Sequence, residues 1–269
     1  MDNSTDLSRR VLDANLDKGR NVRELGGYKT KDGQSIKYNK VIRSAGLHEL
    51  TDNDLDYLKN YGLNIDIDFR SSEEIEKEPD RMPDGTKYVS LPVFKEDQTE
   101  ASKIKKDSVI PGLDIDPSKG YDHMLEVYQN MITEDQSKKA YRSFFDELLA
   151  NDKEDDVLLF HCTAGKDRTG MGAVFLLSSL DVPKDTIQKD YLLTNKTSKD
   201  YVDGVLKQVE AQEPKLVDSI RSLLTVQNNY LEMAEKAIEE TSGDINNYIK
   251  NELKVSDNEI NDLKKIYLM

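Results

Sequence analysis

The chain lacks a second cysteine, a long apolar run, a clustered set of histidines and any surplus of positive charge. Each absence excludes something. With Cys162 as the only cysteine, no internal disulfide can form, and the composition fits a reducing cytoplasm. No apolar run approaches the roughly 20 residues that a membrane-spanning helix needs. The opening stretch, Met1-Asp2-Asn3-Ser4-Thr5-Asp6-Leu7, is polar and acidic and has no apolar core of a secretion signal. The reading is a cytoplasmic protein without stable membrane insertion. Histidine occurs only at His48, His123 and His161, with no zinc-site spacing to the cysteine. Against 52 Asp and Glu stand 38 Lys and Arg, a formal net charge of −14, which argues against nucleic acid and anionic membrane surfaces as partners.

What is present reads as a single domain over residues 1–269, with 36% hydrophobic and 33% charged residues. Residues 1–20 suggest a helical or loose arm. The paired glycines of Asn21-Val22-Arg23-Glu24-Leu25-Gly26-Gly27 suggest a turn or a close backbone approach. Lys31-Asp32-Gly33-Gln34 suggests a hairpin turn before a strand at Lys40-Val41-Ile42-Arg43. Thr51, with Asp54 three residues on, predicts a capped helix with Leu55, Leu58 and Tyr61 on its apolar face and Gly62 as its stop. From Leu63 to Arg70 the residues alternate, which predicts a strand with Ile65, Ile67 and Phe69 on one face and Asp66, Asp68 and Arg70 on the other.

A further strand fits Lys87 to Val93. Residues 95–135 are acidic and irregular, then helical over Tyr121–Met131; they read as an insertion or lid, with a solvated loop as the plainer alternative. Lys138–Leu149 carries an amphipathic helical pattern. From Lys184 onward the pattern is helical, punctuated near Pro214 and Gly243. Strands alternating with helices, followed by a helical last third, predict an α/β fold whose central, mostly parallel sheet is flanked by helices.

The densest chemistry lies in His161-Cys162-Thr163-Ala164-Gly165-Lys166-Asp167-Arg168-Thr169-Gly170. An apolar strand pattern, Asp156–Phe160, precedes it and an apolar helix pattern, Met171–Leu177, follows. Loop N–H groups at a helix N-terminus can wrap an anion. In α/β folds ligands sit at the carboxyl ends of strands, where Arg43-Ser44, Asp68-Phe69-Arg70 and the 91–97 segment also fall. Helix N-termini and nearby cations lower a thiol pKa from about 8.5 to roughly 3.5–7.5, so Cys162 is a candidate nucleophile at the base of a phosphate cradle. Arg168 suits bidentate contact with two phosphoryl oxygens. Thr163, Ala164, Gly165, Lys166, Asp167 and Thr169 complete the cradle. Lys166 and Arg168 supply the local positive charge that an anionic substrate requires on an acidic body. Thr169 can hydrogen-bond the thiolate, and His161 fixes loop geometry rather than acting as a base. Plainer roles stand beside these: a lone cysteine is ordinarily structural, Asp68 and Arg70 can be a strand-end ion pair, and Arg23 and Arg43 can support the loop from behind.

Cys162 and Arg168, with five residues between them and Thr169-Gly170 following, resemble the H-C-x5-R loop of the cysteine-based phosphatases. The variant Ala164-Gly165-Lys166-Asp167-Arg168-Thr169-Gly170 resembles that of the bacterial atypical tyrosine phosphatases, some of which also act on phosphoinositides. Asn21–Gly27 is similar to that family's N-F-R-D-L-G-G. Ile42-Arg43-Ser44 and Asp68-Phe69-Arg70-Ser71 are similar to its R-S and D-L-R-S segments, and Tyr191-Leu192-Leu193-Thr194-Asn195 and Tyr230-Leu231 to its later helical motifs. The resemblance implies a phosphatase that needs no metal or other cofactor. It implies a phosphorylated protein or phosphoinositide as substrate and a phosphocysteine intermediate, with Cys162 as nucleophile and Arg168 as phosphate binder.

The leaving group needs a proton. Family members place an aspartate shortly after an L-P pair; after Leu91-Pro92 here, Lys95 falls at that position, and Asp97 or Glu96 would substitute. Asp167, inside the loop, competes for the role and is preferred because it needs no alignment gap. Two rivals stand beside the phosphatase reading: rhodanese-type sulfur transfer, which Arg168-Thr169-Gly170 disfavours, and a phosphate-binding pseudophosphatase, which retention of both Cys162 and Arg168 disfavours.

Overall fold

A computed structural model describes residues 10–104 and 116–269. Five strands form one sheet: β1 (Arg23–Glu24), β2 (Val41–Ser44), β3 (Leu63–Asp68), β4 (Lys87–Ser90) and β5 (Val157–His161). Their spatial order is β1-β2-β5-β3-β4. β1 pairs antiparallel with β2, and every other pairing is parallel. A parallel sheet is covered on both faces, so its inner strands are apolar on both. Leu158 and Phe160 of β5 join the larger core, while Val157 and Leu159 join a smaller one on the other face. In β3 a register shift between Leu63 and Ile65 puts Leu63 in the smaller core and Ile65 and Ile67 in the larger. That shift leaves Asp66 and Asp68 on the smaller side, beside His161.

The smaller face is covered by α1 (Asp52–Tyr61), which contributes Leu58 and the half-buried Leu55 and Tyr61. Its start has the expected capping box of Thr51 and Asp54, and it stops at Gly62 in the left-handed region, φ 98°. The short helix α2 (Ser72–Lys77) begins with a second capping box, Ser71 with Glu74. The larger core is packed by α3 (Gly120–Thr133), α4 (Asp135–Ala150), α5 (Arg168–Ser179) and a helical last third. That third comprises α6 (Lys184–Thr197), α7 (Lys199–Gln212), α8 (Val217–Leu224), α9 (Asn228–Ser242), α10 (Ile245–Asn251) and α11 (Asp257–Tyr267). Every residue of α5 except Ser178 is buried, as expected of a helix that is apolar all round. None of the described helices is long and apolar enough to cross a membrane.

Two segments depart from the expectations. The strand at Lys87–Val93 ends at Ser90 and is an exposed edge. Beyond it Leu91 and Val93 donate to the carbonyls of Asp68 and Phe69, and Pro92 between them has no N–H to give. The helical part of the 95–135 stretch is longer than expected and belongs to the main core, with Met124, Val127, Tyr128, Met131 and Ile132 buried. Residues 105–115 of that stretch lie outside the described residues.

Candidate active site

β5 is buried along its whole length and ends at His161, so the chain leaves the centre of the sheet directly into the loop 162–167 and then α5. The turn requires a glycine at its middle. Gly165 sits at φ 64°, and a Cβ there would lie 2.2 Å from the Ser44 carbonyl oxygen. The loop's carbonyls are pinned outward. Thr163 O accepts from Gly46 N at 3.2 Å, and Ala164 O accepts from Asn21 Nδ2 at 3.2 Å. Gly165 O accepts from Asn21 Nδ2 at 3.0 Å and from Arg43 Nη2 at 2.9 Å. Across a trans peptide the N–H points opposite to the C=O, so the N–H groups of Ala164, Gly165 and Lys166 face inward. Among the described residues no backbone carbonyl takes them. Inward N–H groups at the start of a buried helix form an anion nest.

The anchors of that nest are themselves anchored. Arg43 Nη1 pairs with Asp190 Oδ2 of α6 at 2.8 Å. Arg23 Nη2 donates to Asp190 O at 3.1 Å and to Thr194 Oγ1 at 3.0 Å, and Tyr28 Oη donates to Asp190 Oδ1 at 3.0 Å. Burial acts to raise the Asp190 carboxyl, but the Arg23 and Arg43 charges outweigh it and hold the group below the ordinary range. Burial, with the Arg23 charge beside it, brings Arg43 down to about 10.

Cys162 lies at the base of the loop and is only 2% exposed. Arg168, at the other end, is gripped by a carboxylate from α2: Nη1 meets Glu74 Oε2 at 2.7 Å and Nη2 meets Glu74 Oε1 at 2.9 Å. Nη2 also donates to Thr99 Oγ1 at 3.2 Å. Burial opposes the Glu74 charge, yet Arg168 outweighs it and brings the carboxyl to about 2. The Arg168 Nε and the Thr169 hydroxyl are left buried without a hydrogen-bond partner, two polar groups available to a bound anion.

A sequence model described as the tyrosine phosphatase family matches residues 14–269. The chain belongs to that family. It is therefore a protein-tyrosine phosphatase. A Cupriavidus necator protein bearing a tyrosine-protein phosphatase name is 30% identical over 240 residues, covering 87% of this chain and 82% of its own. The triple specificity protein phosphatase PtpB of Mycobacterium tuberculosis is 25% identical over 260 residues, covering 85% of this chain and 93% of its own. Among solved structures, P. aeruginosa TpbA aligns over 71% of this chain and 89% of its own, at 14% identity and a TM-score of 0.34.

Around the loop, the other residues singled out in the sequence fall into three groups. Asp167 and Lys166 are each 1% exposed and pair with each other at 2.7 Å; Tyr128 Oη donates to Asp167 Oδ1 at 2.8 Å, and Tyr191 Oη to Tyr128 Oη at 2.8 Å. Asp97 lies 3.6 Å from Arg168 Nη2 and accepts from the N–H and hydroxyl groups of both Thr99 and Ser102. Asp68 and Arg70 are joined by a forked ion pair behind the loop, and His161 Nδ1 lies 3.2 Å from the Cys162 carbonyl. Burial acts to lower the His161 imidazole, but Asp80, Asp68 and Asp66 outweigh it and raise it well above its ordinary value. Sequence reasoning missed Glu74, Asp190, Tyr128 and Asp80. The Ser71-Ser72-Glu73-Glu74 run carries a visible capping signal for Glu74, though not for its grip on Arg168.

Proposed function

We propose that this phosphatase hydrolyses phosphotyrosine through a phosphocysteine intermediate on Cys162. The observation that carries the reading is the loop itself, with carbonyls tied outward, N–H groups turned inward, Cys162 at its base and Arg168 held across it. In the first step the Cys162 sulfur attacks phosphorus, the S–P bond forms, and the P–O bond to the tyrosyl oxygen breaks. The inward N–H groups and Arg168 hold the phosphoryl oxygens as charge builds on them. The departing oxygen takes a proton from a carboxyl group. In the second step water attacks phosphorus and gives a proton to the carboxylate left by the first step, the S–P bond breaks, and the Thr169 hydroxyl hydrogen-bonds to the departing thiolate.

Asp167 is the proposed proton donor. Its carboxylate is held by Lys166, so a substrate anion that draws the Lys166 ammonium toward itself frees Asp167 to carry a proton. The same displacement supports a second reading, activity on phosphoinositides, since Lys166 would then face a further phosphate. Asp97, already accepting four hydrogen bonds and lying beside Arg168, serves better to hold the 97–102 segment over the cradle than to deliver a proton.

A turnover panel of phosphopeptides and phosphoinositides, with Cys162→Ser as control, tests the reading. Cys162→Ser is expected to abolish hydrolysis while retaining ligand binding; unchanged turnover would eliminate covalent catalysis. Asp167→Asn is expected to slow an ester with a poor leaving group far more than one with a good leaving group. Equal losses on both would assign Asp167 to loop geometry instead.

A further inference from the structure

Two buried tyrosines stand in file behind Asp167, and the proposed catalysis gives them no part. Tyr128 lies on α3 and Tyr191 on α6, and both are closed to solvent. Tyr128 Oη donates to Asp167 Oδ1 at 2.8 Å, and Tyr191 Oη donates to Tyr128 Oη at 2.8 Å. The Gln227 carbonyl lies farther from Tyr191 Oη, at 3.4 Å. A phenol has one hydrogen to give, and an ionised carboxylate can only accept. Tyr191 gives its hydrogen to Tyr128, so the Tyr128 hydrogen points at Asp167, and both ends of the file fix the same direction. The two oxygens of Asp167 are thereby unequal. Oδ1 takes Tyr128 and also Lys166, the latter at 2.8 Å. Oδ2 takes Lys166 alone among the described residues, at 2.7 Å.

We propose, on the reading that Asp167 is the proton donor, that Tyr128 is its positioning residue: it keeps hold of Oδ1 when Lys166 turns to the substrate, so that Oδ2 carries the proton, and Tyr191 holds Tyr128 to that task. Lys166 cannot do this alone. Its stem is flexible, and it leaves the carboxyl group as the anion binds. Tyr128 stays, because its ring is packed between those of Tyr191 and Tyr230, with centroids 6.2 and 5.5 Å away. A proton on Oδ2 leaves Oδ1 as a carbonyl oxygen, the better acceptor for the Tyr128 hydroxyl. From Oδ2 the proton passes to the departing tyrosyl oxygen as the P–O bond breaks, and Oδ2 takes up the proton of the attacking water in the second step. Tyr128 keeps its own hydrogen throughout. Adjacent residues of α6 then serve the loop by separate routes. Asp190 steadies its carbonyls through Arg43, and Tyr191 steadies its acid through Tyr128. Tyr191 also packs at the loop's exit, where a Cβ on Gly170 would stand 3.4 Å from its ring.

The test measures kcat/KM of the full chain on two esters, phenyl phosphate, whose leaving group needs a proton, and dinitrophenyl phosphate, whose leaving group does not. Tyr128→Phe keeps the ring and removes only the hydroxyl. It is expected to lower kcat/KM about tenfold or more on phenyl phosphate and less than about twofold on dinitrophenyl phosphate. Tyr191→Phe, which leaves Tyr128 in place and serves should the first variant fail to fold, is expected to show the same inequality at about threefold. A disturbed loop would slow both esters alike. In an Asp167→Asn background Tyr128→Phe should cost nothing further on phenyl phosphate, since Tyr128 acts through Asp167. Losses that are equal on the two esters, or absent, in either tyrosine variant would overturn the proposal, as would a full further loss in the Asp167→Asn background. Asp167→Asn by itself separates the two levels. Unequal losses there beside equal losses in Tyr128→Phe reject the role of Tyr128 only, whereas equal losses in Asp167→Asn remove the proton donor and the role of Tyr128 with it.

Discussion

Replacing Glu74 by glutamine removes the charge that holds Arg168 while keeping the side chain's shape. The pair is almost closed to solvent, 1% and 4% exposed, so solvent screening does little to weaken it. Glu74 falls from an ordinary 4.5 to about 2; at 1.36 kcal/mol per pKa unit this corresponds to about 3 kcal/mol of stabilisation at neutral pH. For a chain of this size that is roughly 6–12 °C in melting temperature. The sign follows from a folded pKa below the unfolded one: the stabilisation is fully present above about pH 4.5 and is lost as pH falls through about 2. The gap between wild type and Glu74→Gln should therefore be wide at pH 7 and close as the pH drops. The variant's kcat/KM should fall roughly tenfold to a hundredfold, because Arg168 is no longer held across the cradle. A saturating oxyanion such as vanadate should raise the variant's melting temperature more than the wild type's, since it supplies the missing negative charge. A variant that melts within 2 °C of wild type at pH 7 and keeps its kcat/KM would refute the reasoning.

Three further substitutions probe the frame of the loop. Gly165→Ala forces a Cβ against the Ser44 carbonyl at a left-handed φ and is expected to cost about 2 kcal/mol or more and most of the activity; a fully active variant with wild-type melting would mean that the turn relaxes freely. Asp190→Asn strands the buried cations Arg23 and Arg43 beside each other and should destabilise by about 3–5 kcal/mol in chemical denaturation. Arg43→Lys cannot reach both Asp190 and the Gly165 carbonyl as the guanidinium does. It should lower kcat with a smaller change in KM, and an unaltered kcat would show that Asn21 alone suffices to orient the loop.

The candidate loop was legible as a structural unit because its residues are contiguous: ten residues carry a strand exit, a helix entrance, a thiol and an arginine. The sheet was legible for a similar reason, since the alternation of Ile65, Ile67 and Phe69 reports a two-sided strand without reference to any other segment. What holds the loop is another matter. Glu74 lies 94 residues from Arg168, and its sequence context announces only the helix cap it also forms. Asp190 looks like one acid among many on a charged helix, and nothing in its neighbours signals that it meets Arg23 and Arg43 in the core. The Lys87–Val93 strand was overextended because hydropathy does not register that the regular ladder ends at Ser90, although Leu91 and Val93 still donate to the carbonyls of Asp68 and Phe69.

The ties that pin the cradle reach 143 residues back to Asn21 and 122 back to Arg43. The surroundings of Cys162 therefore exist only once widely separated parts of the chain have met. Because the chain carries one thiol and that thiol is almost fully enclosed, a single sulfur atom serves as a built-in gauge of assembly. The rate at which a bulky alkylating reagent modifies Cys162, followed against denaturant, reads how often those distant segments part from one another in the native protein.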